Sequence, residues 1–144
     1  MFRIHRLFIK TAIVYLLLGV LLGGSLLLMR AVRGTLAAYS LITIHTHMIG
    51  VGTILNMIMG VAHWMFPREP GVTKEIVARD PLAWWNYLLL NLGLLLRLLF
   101  EPLFPALSAR VALGVSAFLQ VLGVVLFVAC IWKRVRAPST FPQM

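Results

Sequence analysis

Two imidazoles one residue apart, His45 and His47, sit in the run TIHTHMIGVGTILNMIMGVAHWMFP (residues 43–67), whose other residues are mostly apolar. Neutral imidazole nitrogens ligate transition metals and haem iron, and an ionisable group in a membrane-embedded helix usually faces a bundle interior or a functional site. At ~100° per residue the two rings project about 200° apart around one helix. From a single helix they cannot hold the same ion, nor the two faces of one haem. Partners within the chain are scarce: the other histidines are His5 and His63, and His63 lies 18 residues beyond His45, roughly 27 Å along a helix. A two-histidine site therefore calls for a second copy of the chain, for a methionine such as Met29 or Met48, or for an open position on the metal. In a homo-oligomer one copy can offer His45 while its neighbour offers His47 across the interface. Gly52, Asn56 and Gly60 fall within about 60° of the His45 direction on a continuous helix, where small residues admit a neighbouring helix or a flat porphyrin. A hydrogen-bonded packing role is the alternative for each histidine, and plain helix packing for the glycines.

The elements that must carry these side chains are membrane spans. Of 144 residues 61% are hydrophobic, and the mean hydropathy of +0.96 places the chain among integral membrane proteins. Four apolar segments, at about 11–29, 38–66, 83–100 and 111–132, are long enough to cross about 30 Å of hydrocarbon. The expected fold is an all-α, four-helix membrane bundle forming a single domain over residues 1–144. Its second span is longer than crossing requires and should tilt or project. Pro67 is expected to end that span and Glu101-Pro102 the third. The N-terminal charges and long apolar run read as a retained helix, since MRAVRG replaces a small-residue cleavage site. Cys130 is the only cysteine, so neither a disulfide framework nor a CxxCH haem attachment is available.

The net charge of +9 sits at the ends of apolar runs, which is a matter of membrane topology and excludes nucleic acid as the expected partner. With the N-terminus inside, Arg3, Arg6, Lys10, Arg68, Lys74, Arg79, Lys133, Arg134 and Arg136 share one side. Arg30, Arg33 and Arg110 lie on the other, with Arg97 embedded near it. Cationic residues favour the cytoplasmic face, so both termini are expected there, in a multi-pass protein of the cell inner membrane. His45 and His47 then belong to the outer part of the bilayer and His63 to the inner part.

The run around the histidine pair, followed by VARDPLAWWNYLLLNLG, resembles helix II and the start of helix III in the catalytic subunit of haem-copper oxidases and their nitric oxide reductase relatives. The elements that carry the resemblance are Thr43, His45, Gly60, Pro67, Ala78-Arg79-Asp80, Pro81, Trp85 and Asn86, in order over about 45 residues. The family subunit has twelve spans in three similar four-span units, so this chain resembles one such unit standing alone. The resemblance implies that His45 is an axial ligand of a low-spin haem, and that His47 matches the latter histidine of the H-x-H that supplies the other. Three copies around an axis would recreate the twelve-helix arrangement. A homotrimer holding haem b between His45 of one copy and His47 of the next is the expected assembly, with a dimer or another ring as alternatives.

The family's second metal centre has no counterpart, and an iron with both axial positions filled leaves no place for oxygen or nitric oxide. Reduction of either gas is not expected. Arg97, Arg30, Arg33 and Arg110 are the candidate partners for haem propionates, with snorkelling toward headgroups as the alternative. One-electron transfer with an unidentified redox partner is the expected function. The competing classes are a gas-binding haem sensor with an open coordination position, a haem-free accessory subunit of a respiratory complex, and a copper or zinc cluster built from several chains.

Overall fold

The first helix, α1, spans Arg3–Arg33 and so begins well before the apolar run at residue 11. Nothing in RIHRLFIK breaks a helix, and Ile4, Phe8, Ala12 and Tyr15 recur on one face, where all four are buried. Arg6 and Lys10 on the same turns are exposed. Gly34, at φ +65°, ends the helix, its N–H donating to Arg30 O at 2.9 Å. That left-handed cap suits a residue without a Cβ. The computed structural model describes residues 3–66, 80–132 and 134–135. Pro67, Arg68, Lys74, Ala78, Arg79, Lys133 and Arg136, which carry part of the resemblance or of the charge bias, lie outside the described residues.

The second span, Tyr39–Met65, is not one continuous α-helix. It is α2 over Tyr39–His47, a π-helical segment over Met48–Leu55, and α3 over Asn56–Met65. Phe66 leaves the helix extended at ψ 136°, as the residue before a proline is obliged to. The third span, α4, covers Pro81–Phe100. Asp80 caps it by accepting from the Leu82 N–H at 2.9 Å, with proline in the first turn where no N–H is required. A 3-10 turn over Glu101–Leu103 comes next, and α5 over Leu107–Trp132 completes the chain. Among the described residues there is no strand.

The four spans form an all-α bundle of two hairpins, with α1 packed on the π segment and α3, and α4 packed along α5. Close α4–α5 approach needs glycine: a Cβ at Gly93 would lie 2.9 Å from Ser116 O, and one at Gly123 2.9 Å from Leu90 N. Two apolar cores stack along the bundle. Ile4, Phe8, Met59, Ala83 and Leu90 fill the end nearer His63. Tyr15, Ile44, Met48 and Leu94 fill the end nearer His45. The second span is the central element, with 44% of its apolar window buried against 17% for α1 and 11% for α5. Burial of this kind is what makes a polar residue on the second span informative.

Candidate histidine site

His45 and His47 both lie on α2, within its last turn. Each ring is half-buried and each has its Nδ1 on a backbone carbonyl. His45 Nδ1 is 2.9 Å from Gly19 O of α1, and His47 Nδ1 is 2.9 Å from Thr43 O one turn back on its own helix. A carbonyl only accepts, so Nδ1 carries the hydrogen in both rings. The proton-free nitrogen of each neutral ring is then Nε2, which has no hydrogen-bond partner among the described residues. In each ring the carbonyl on Nδ1 sets the tautomer and the ring plane. Gly23 makes room for the His45 ring, since a Cβ there would stand 2.5 Å from His45 Cε1.

The small and amide residues of the second span are used inside the protomer. The space beside Gly52 is filled by the Tyr15 ring, with Cγ 2.6 Å from where a Cβ would be, and that beside Gly60 by Phe8 and Ile9 at 2.9 Å. Asn56 is fully buried. Its Nδ2 donates to Val51 O at 3.0 Å, and its Oδ1 accepts from Asn91 Nδ2 of α4 at 3.0 Å. The expectation of one shared face assumed continuous α winding. His45, Gly52 and Gly60 all meet α1, and Asn56 is bonded to α4 through Asn91.

The four arginines divide. Arg30, Arg33 and Arg110 are exposed at span ends. Arg97 instead pairs with Glu101 one turn on, Nη2 to Oε2 at 3.5 Å, with side chains 25% and 11% exposed. Its Nε and the Glu101 Oε2 are buried without hydrogen-bond partners. The 3-10 turn that carries Glu101 packs against α2. An i,i+4 spacing of opposite charges was the signal for this pair, and Gly19-Gly23 likewise has the small-xxx-small spacing of a helix contact.

The opposite end of the bundle holds a second polar group of side chains. His63 is 7% exposed; its Nε2 lies 3.3 Å from Asn86 Nδ2. Its ring stacks on Phe8 and meets the edge of Phe127, with centroids 5.7 Å away in each case. Arg134 Nη2 donates to the carbonyls of His63 at 3.2 Å and Phe66 at 2.6 Å. Cys130 Sγ donates to Asp80 Oδ2 at 3.4 Å. His5 is also buried, at 4% exposure. Among the described residues no group of three or more His, Cys, Asp or Glu side chains is placed to hold a metal ion. No protein-family model matches the chain, and neither does any curated protein or solved structure.

Proposed function

We propose that the chain is a membrane haem b protein resembling a single four-span unit of the haem-copper oxidase and nitric oxide reductase catalytic subunit. It assembles as a homo-oligomer, with a trimer preferred, and each iron is held by His45 of one copy and His47 of the next. What supports this is the donor set. Two half-buried imidazoles in an apolar helix each have Nδ1 engaged by a carbonyl and Nε2 without a hydrogen-bond partner among the described residues. Their opposed directions on α2 send the two ligands to different irons. Arg30, Arg33 and Arg110 are the exposed cations for propionates, and Arg97 would have to share its charge with Glu101.

Bound haem b with two imidazole ligands supplies a low-spin one-electron carrier. The chain's own part is to orient the ligands, exclude water and fix the tautomers. Its place is the cell inner membrane with both termini cytoplasmic, on the strength of the cationic bias. A pyridine haemochrome assay on the wild type, His45→Ala and His47→Ala, with mass measurement in detergent, tests the assignment. Haem in the wild type and none in either variant is the expected result. The reduced wild type should also keep its spectrum under carbon monoxide, because both axial positions are filled; a shift would favour the gas-sensor class.

A second reading, a haem-free accessory subunit of a respiratory complex, draws on the fit of the His45 ring over Gly23 of its own chain. Colourless protein after haem-sufficient expression would favour it.

A further inference from the structure

The second span changes its winding directly after the histidine pair. Met48–Leu55 is π-helical, a form that is rare, occurs mostly as single turns, and is frequent at functional sites. Here it runs for eight residues, and buried side chains are committed to it. Thr53 Oγ1 donates to Met48 O, five residues back, at 3.0 Å. Asn56 Nδ2 donates to Val51 O, also five back, at 3.0 Å, and the Asn56 backbone N–H reaches the same carbonyl. Asn91 Nδ2 donates to Asn56 Oδ1 at 3.0 Å and to Tyr87 O at 2.9 Å. A relay therefore runs from α4 through Asn91 and Asn56 into a π carbonyl. In a medium without water these bonds have no substitute.

The π segment is bounded on both sides by fixed contacts with α1. On one side the His45 ring sits over Gly23, with Nδ1 on Gly19 O. On the other, Gly60 sits under Phe8 and Ile9. Were Met48–Leu55 to wind as an α-helix, each residue would turn further about the axis. With Gly60 held, the His45 ring would swing away from Gly19 and Gly23.

We propose that Thr53, Asn56 and Asn91 are positioning residues that maintain the π segment and thereby set the direction in which His45 and His47 present Nε2. The purpose of this device rests on the reading of the pair as haem ligands, but its test does not. In full-length protein labelled with 15N-histidine, NMR reads the His45 Nδ1–H bond to Gly19 O. The His45 resonance is identified by its loss in His45→Ala.

Thr53→Val, Asn56→Leu and Asn91→Leu should each shift or broaden that signal. Thr53→Ser, which keeps the hydroxyl, and Ser116→Ala, which removes the bonds to Gly93 O and from Gln120, should leave it in place. In haem-loaded protein the same three substitutions should move the low-spin ferric EPR signal and raise the carbon monoxide-reactive fraction at least several-fold. An unchanged His45 signal in Asn56→Leu and Asn91→Leu, with helix content preserved by circular dichroism, would overturn the proposal. Should those two fail to fold, Thr53→Val against Thr53→Ser decides by the same measurement. A wild type that binds no haem would remove the haem reading alone, since the NMR comparison still reports on positioning.

Discussion

The two ends of the second span carry the same functional group in opposite circumstances. At the His63 end the imidazole is closed in: Asn86 meets Nε2, Phe8 and Phe127 cover the ring, and Arg134 takes the backbone carbonyl. At the His45 end each ring is half-buried, its Nδ1 is secured, and Nε2 has no partner among the described residues. Both are intramembrane histidines of the kind that signal function by default. The difference teaches that a histidine's place in a membrane span says less than which of its nitrogens already has a hydrogen-bond partner. The Asn86 amide donates to His63 Nε2, so that nitrogen is the one without a hydrogen and is already engaged.

The sharpest way to break this contrast is haem content. His45→Ala or His47→Ala should reduce haem per chain to background in the haemochrome assay, whereas His63→Ala should retain it. Equal loss from all three would mean that the two ends are equivalent. Next in size is Phe8→Ala, which removes a fully buried ring touching both His63 and Tyr87. It should cost about 3–5 kcal/mol of stability, measured by unfolding in mixed detergent, because that end depends on packing.

A smaller effect sharpens the other end. Gly23→Ala drives a methyl into the His45 ring and should cost about 1–3 kcal/mol and lower haem affinity. Gly24→Ala, with open space at its Cβ, should stay within about 0.5 kcal/mol of wild type. Smallest among the changes that register is Ser116→Ala, which loses the 2.6 Å bond to Gly93 O. It should cost about 0.5–1.5 kcal/mol and leave haem content untouched, since neither histidine is bonded to Ser116 or Gly93.

Much of the fold was legible because hydrocarbon imposes a simple rule. Runs of leucine, valine and isoleucine long enough to cross must be helical, and Gly34, Asp80-Pro81 and Glu101-Pro102 mark the breaks. The boundaries differed where polarity misled: Arg6 and Lys10 did not prevent α1 from starting at Arg3, because the buried stripe of Ile4, Phe8 and Ala12 continues through them. At the site, spacing pointed to His45 and His47 and to the shared face of Gly52 and Gly60. It did not show that Tyr15, Phe8 and Ile9 fill those glycine notches, nor that Arg97 is engaged by Glu101. These are contacts between elements or across a turn, and the sequence names only the candidates.

The sequence by itself determined that this is a four-span membrane protein with a histidine pair on its second span, because hydropathy and residue identity are properties of each segment alone. Only the tertiary structure decided which nitrogens are spoken for. The hydrogen bond from His45 to Gly19 O and the filling of the glycine notches depend on another helix being in place. A one-residue alternation of imidazoles sets their angular separation on α2; what the His45 ring faces is set by the surface that α1 brings to it.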